Sequence, residues 1–127
     1  MKIIISNASN KPIYEQITEQ LKAMIVNGDL KAGEALPSIR KLAMELRISV
    51  MTTKRAYAEL ENAGFIETVP GKGSFVSSSN REFLREEYLR KIEEHISKAV
   101  EMAVYADVSK KEFLEIVNLL MEDDPNE

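Results

Sequence analysis

Residues 36–76 read LPSIRKLAMELRISVMTTKRAYAELENAGFIETVPGKGSFV. Apolar residues first recur at helical spacing, and the pattern then changes to short strand-forming runs. Ser38 is a good N-cap for a short helix whose buried face is Ile39, Leu42, Ala43 and Leu46. Arg47-Ile48 is a tight break. Ser49 caps a second helix with Ala56, Tyr57 and Leu60 turned inward, and Gly64 ends it. Phe65-Ile66-Glu67-Thr68 and Ser74-Phe75-Val76-Ser77 are strand candidates around a Pro70-Gly71-Lys72-Gly73 tip. Two short helices around a tight turn, followed by a hairpin, build a winged helix-turn-helix, a shape suited to duplex DNA.

The flanks extend this plan. A first helix begins near Pro12 and places Ile13, Ile17, Leu21, Met24 and Ile25 on one face before Gly28 stops it. Residues 29–36 form a loop that ends at Pro37. The polar run Ser77-Ser78-Ser79-Asn80 divides a winged-helix unit, residues 1–79, from a second unit, residues 80–127. In the second unit Leu84, Tyr88, Leu89, Ile92, Ile96, Val100 and Ala103 repeat at three- and four-residue steps. Ser109-Lys110-Lys111-Glu112 has the form of a capping box, and Phe113, Ile116, Val117 and Leu120 follow as a stripe. One long and one short helix cannot hide this surface between themselves. A second copy of the chain is the simplest cover, through an interface of Leu84, Tyr88, Ile92, Ile96, Phe113, Val117 and Leu120. The expected fold is mainly α with a small β wing: a winged helix-turn-helix plus a short two-helix C-terminal dimerisation segment.

A net charge of −4 over 127 residues is unpromising for a partner of nucleic acid, but its distribution is uneven. Residues 1–79 hold 10 Lys/Arg against 8 Asp/Glu, whereas residues 80–127 hold 7 against 13. The acidic excess therefore lies in the second unit, and the first can still face phosphates. With no cysteine, disulfides and thiolate metal sites are excluded. No apolar run approaches the ~20 residues of a membrane span. Met1-Lys2-Ile3-Ile4-Ile5 is too short for a signal peptide, so a cytoplasmic location is expected.

The residues at the helix starts and the hairpin tip carry the chemistry. In a helix-turn-helix the N-terminal turns of the second helix meet base edges. Here they offer Ser49, Thr52, Thr53, Lys54 and Arg55, beside Val50 and Met51. Threonine hydroxyls donate to phosphates or bases, threonine methyls meet thymine methyls, and an arginine forks onto guanine or phosphate. The preceding helix adds Ser38, Arg40 and Lys41 at its N-terminus, where the helix dipole favours phosphate. Lys72, with Gly73 beside it, lets charge and bare backbone approach the minor groove. Plainer readings compete: Ser38 and Ser49 as caps alone, Arg40, Lys41 and Lys54 as a solvated face, and Thr53 as a small core residue. The single histidine, His95, lies beside the apolar stripe between glutamates and reads as a solvated or interface residue. No metal, cofactor or enzymatic role is expected. A winged helix used for protein interaction is the alternative, and the cationic start of the third helix argues against it.

Taken together, the segment resembles the DNA-binding domain of the GntR family of bacterial transcription regulators. The likeness rests on Pro12-Ile13-Tyr14-Glu15-Gln16-Ile17, Gly28-Asp29-Leu30 and Gly33-Glu34-Ala35-Leu36-Pro37-Ser38-Ile39-Arg40-Lys41-Leu42-Ala43. It continues through Thr52-Thr53, Ala56-Tyr57-Ala58-Glu59-Leu60-Glu61, Gly64-Phe65-Ile66 and Gly71-Lys72-Gly73-Ser74-Phe75-Val76. The opening and the short tail resemble the YtrA subfamily, in which a two-helix C-terminal segment dimerises. The resemblance implies a homodimeric repressor, often of an operon for an ATP-driven transporter, bound to an inverted-repeat operator in double-stranded DNA. It implies DNA contacts at Arg40, Thr52, Thr53, Arg55, Lys72 and Gly73. Met51 and Pro70 depart from the common pattern: many relatives have arginine or proline at the first, and a polar or basic residue at the second. An effector is not readable, and the short C-terminal segment is expected to be a poor host for a pocket of ~300 Å³.

Overall fold

The structure, a computed structural model, describes residues 1–78 and 81–122. Its elements run α1 (Ile13–Asn27), α2 (Ile39–Leu46), α3 (Val50–Asn62), β1 (Ile66–Val69), β2 (Gly73–Val76), α4 (Arg81–Tyr105) and α5 (Lys110–Glu122). The fold is mainly helical with an antiparallel two-stranded wing. The chain separates into two compact units, Met1–Arg85 and Glu86–Glu127. Ser79 and Asn80 of the expected junction lie outside the described residues.

Local chemistry explains where the helices begin and end. Pro12 precedes α1 with φ −56°, and Gly28 closes it in the left-handed region at φ 89°. The break after α2 is made by Arg47, a non-glycine residue at φ 56°. Its N–H donates to the Met44 carbonyl at 3.3 Å, and the Ile48 N–H donates to the Ala43 carbonyl at 3.0 Å. This pair of back-bonds satisfies the last carbonyls of α2 and reverses the chain. The same pair ends α3, where the Gly64 N–H reaches Glu61 O at 3.0 Å and the Phe65 N–H reaches Leu60 O at 2.9 Å.

The first unit has a continuous apolar interior. Ile17 and Leu21 of α1, Leu42 of α2, Thr53 and Leu60 of α3, and Ile66 of β1 are its largest fully buried side chains. α3 packs on α1, α2 and β1. Two glutamines on successive turns of α1 fasten the N-terminal arm. Gln20 exchanges both amide hydrogen bonds with the Ile4 backbone, accepting at 2.9 Å and donating at 2.7 Å. Gln16 does the same with Ser6, at 2.9 and 3.0 Å, and Ile3 is buried beneath the arm.

The wing differs from the sequence expectation by one residue at each strand. Phe65 is drawn into the end of α3, so β1 begins at Ile66, and β2 begins at Gly73, which pairs with Val69. The turn is closed by the Lys72 N–H donating to Val69 O at 2.9 Å. Pro70 supplies a fixed φ, and Gly71, at φ 79°, takes the position that a side chain would strain. The loop after α1 is also more ordered than expected. Ala35 bridges Phe75, and the Leu36 N–H donates to Ser74 O at 2.9 Å. β2 is thus paired on both edges, which fixes the root of the wing.

In the second unit, the chain turns between α4 and α5 through Asp107 at φ 56°, with the Val108 N–H on Ala103 O at 2.8 Å. Ser109 accepts from the Glu112 N–H at 3.1 Å and caps α5. No residue of α5 is buried.

Tyr57 ties α3 to the start of α2: its hydroxyl donates to the Pro37 carbonyl at 2.6 Å. Burial, with a smaller contribution from the Glu45 carboxylate, pushes the phenol well above its ordinary range, so it remains a donor. Tyr57→Phe is expected to lower stability to urea by about 1–2 kcal/mol, because the carbonyl loses its partner. The native state holds the phenol protonated. Its contribution is therefore whole below about pH 10 and is lost as pH rises further, and this alkaline loss should be absent in Tyr57→Phe.

Candidate nucleic-acid interface

The N-terminal turn of α3 is built around Ser49. The Ser49 Oγ accepts from the Thr52 N–H at 3.0 Å, which satisfies one open donor of the helix start. The Ser49 hydroxyl in turn donates to Thr52 Oγ1 at 2.7 Å, leaving the Thr52 hydroxyl hydrogen for an outside acceptor. Ser49 is a cap in this geometry, and it orients the residue expected to touch DNA. Ser38 plays the matching part in α2, accepting from the Lys41 N–H at 3.1 Å.

Thr53 does not belong to the exposed face. It is fully buried, and its hydroxyl donates to Ser49 O at 3.1 Å. Helical spacing explains this, since Thr53, Ala56, Tyr57 and Leu60 share one side of α3 and all are buried. Thr52 stands half-buried beside it, while Lys54 and Arg55 are exposed. Val50 and Met51 add an exposed apolar edge, Met51 at 71%.

Arg40, Lys41 and Lys72 are exposed, as is Gly73 at φ 116°. The wing tip is therefore a lysine on a short turn between two glycines with open space around both. Arg55 is the most constrained cation of the set. Its guanidinium carbon lies 3.7 Å from the centroid of the Tyr14 ring, and its Nε is 3.8 Å from Glu59 Oε1. Tyr14 belongs to α1, and although it lies in the Pro12–Ile17 motif, nothing in the linear pattern links it to α3.

The residues expected at a self-interface are placed unevenly. Leu84 is buried in the first unit, where it lines a cleft of about 390 Å³ with Ile25, Leu30 and Val76. It therefore leaves the exposed stripe. Ile92, Ile96 and Leu120 are exposed at 50%, 51% and 70%, and Tyr88, Phe113 and Val117 are half-buried. Phe113, Val117 and Leu120 line an apolar groove of about 410 Å³ with Met102, Ala103 and Val108. This groove is open to solvent rather than enclosed like a ligand pocket.

The sequence pattern of the bacterial regulatory proteins of the gntR family matches residues 13–76. The chain belongs to the GntR family. Its helix-turn-helix and wing are those of a DNA-binding transcription regulator. The likeness extends beyond the matched domain. The HTH-type transcriptional repressor YtrA of Bacillus subtilis is 36% identical over 121 residues, 95% of this chain and 93% of the relative. The crystal structure of a transcriptional regulator from Oenococcus oeni superposes with a TM-score of 0.75 at 26% identity, covering 92% of this chain and 97% of that one. The DNA-binding domain of AraR, solved in complex with operator ORX1, shares the fold of the first unit. Its TM-score is 0.54 at 22% identity, over 61% of this chain and 96% of that one. No helix among the described residues of this GntR protein is long and apolar enough to cross a membrane.

Ser49→Ala removes both the cap and the hydroxyl that orients Thr52. A loss of about 1 kcal/mol in chemical denaturation is expected. Amide hydrogen exchange should locate that loss in the first turn of α3.

Proposed function

We propose that this GntR protein is a cytoplasmic, non-enzymatic homodimeric repressor that binds an inverted-repeat operator at its own operon. The observation that carries the reading is the cluster of donors at the start of α3, half-buried Thr52 with exposed Lys54 and Arg55, held at the surface by a buried inner face. The first turns of α3 enter the major groove, Arg40 and Lys41 take phosphates beside the N-terminus of α2, and Lys72 with Gly73 follows the adjacent minor groove. The name of the Bacillus subtilis relative, a repressor, supports the sign of regulation.

Dimerisation is supported by the apolar side chains left on the surface of the second unit. Leu89, Ile92, Ile96 and Val100 are each close to half exposed, and Leu119 and Leu120 more so. At about 25 cal/mol per Å², such area is costly to leave in water. A single recognition helix reads only a few base pairs, and two copies place their α3 helices on half-sites about one helical turn apart.

Binding to a fragment of the protein's own promoter and to random DNA of equal length, at ~0.15 M salt, tests the reading. The promoter should bind at least about 1,000-fold more tightly; equal affinities would refute specific recognition. Arg40→Ala should weaken binding by about 1 kcal/mol or more and reduce the slope of log K against log salt by about one. Sedimentation should give a dimer for the native chain and a monomer for the Ile92→Glu, Ile96→Glu double variant, with operator affinity falling in parallel. A monomeric native chain that retains full affinity would remove dimerisation from the reading.

A further inference from the structure

The contact between α1 and the recognition helix supports a step beyond this. Arg55 sits on α3 with 61% of its side chain exposed, yet it has two partners within the protein. A guanidinium carbon only 3.7 Å from a ring centroid leaves room for little more than the thickness of the two π systems, so the planar group lies over the Tyr14 face. Glu59, one turn further along α3, takes the Nε side at 3.8 Å. With 61% of the side chain exposed, part of the stacked group stays open to an outside partner. Tyr14 itself is half-buried in the first turn of α1, and that helix is anchored to the core through Ile17 and Leu21.

We propose that Tyr14 is a positioning residue for operator recognition, holding the Arg55 fork in the orientation that meets a guanine edge or a phosphate. The proposal rests on the reading of Arg55 as a DNA contact. A free arginine must give up most of its rotamer freedom on binding, and a fork stacked in advance gives up less. Bidentate recognition is also more sensitive to orientation than a point charge, so the effect falls on specific DNA and not on random DNA. The aromatic face of Tyr14, and not its hydroxyl, holds the guanidinium.

The test is a double-mutant cycle on the full-length protein, with the promoter fragment and random DNA as probes. Tyr14→Leu should weaken promoter binding about 3- to 5-fold, with random DNA unchanged. Tyr14→Phe, which keeps the ring, should bind within about 2-fold of wild type. In an Arg55→Ala background, Tyr14→Leu should have no further effect. An equal loss from Tyr14→Leu with and without Arg55 would assign Tyr14 a general structural role and overturn the proposal. Full binding by Tyr14→Leu when Arg55→Ala is impaired would overturn it while leaving Arg55 in the interface. Wild-type binding by Arg55→Ala would remove the contact and the proposal with it. Arg55→Lys leaves α1 untouched and gives a reading independent of any folding defect at position 14. It keeps the charge but loses the stacked fork, and should lose promoter binding by a similar factor; wild-type affinity would overturn the proposal.

Discussion

The inner face of α3 is the constraint on which the rest depends. Thr53, Ala56, Tyr57 and Leu60 are buried along one side of the helix, against α1, α2 and β1. A recognition helix must offer its polar face to a groove without moving, and its rigidity comes from the opposite face. Full burial of Leu60 there contributes roughly 1.5–3 kcal/mol relative to exposure. The exposed side then costs little to leave polar, so the same thirteen residues can serve both core and surface.

Side chains and tight turns supply partners for several backbone polar groups of the first unit that lie outside regular structure. The Gln16 and Gln20 amides stand in for a neighbouring strand along the N-terminal arm. Ser38 and Ser49 satisfy the open donors of the two helices of the turn. Left-handed residues at 28, 47 and 64 close the helices that precede the loops. Arg47 is the unexpected member of that set, since a side chain at φ 56° costs about 1–2 kcal/mol. Its two back-bonds to α2 hold it there and keep the turn tight.

Several features could be read from the residues alone because their causes are local. Capping by Ser38 and Ser49, the stops at Gly28 and Gly64, and the Pro70-Gly71 turn each depend on a few adjacent side chains. Thr53 falls three and four residues before Ala56 and Tyr57, which allowed a core position, but its hydroxyl favoured a DNA contact, and the structure buries it. Leu84 was different. Its four-residue spacing with Tyr88 and Ile92 looked continuous with an exposed stripe, but it packs within the first unit. The bridge from Ala35 to Phe75 was likewise hidden, because pairing between distant segments leaves no period in either.

The sequence by itself determined the order of elements, their capping and the chemistry of the exposed turns. Periodicity and capping act over three or four residues, and every one of those residues is written consecutively. Only the tertiary structure decided which cation is held and by what. Tyr14 and Arg55 lie on different helices, and their stacking depends on the packing of α1 against α3. Whether a polar side chain is a free donor or a preset one is a matter of distance in space, and distance in space is what the linear pattern does not contain.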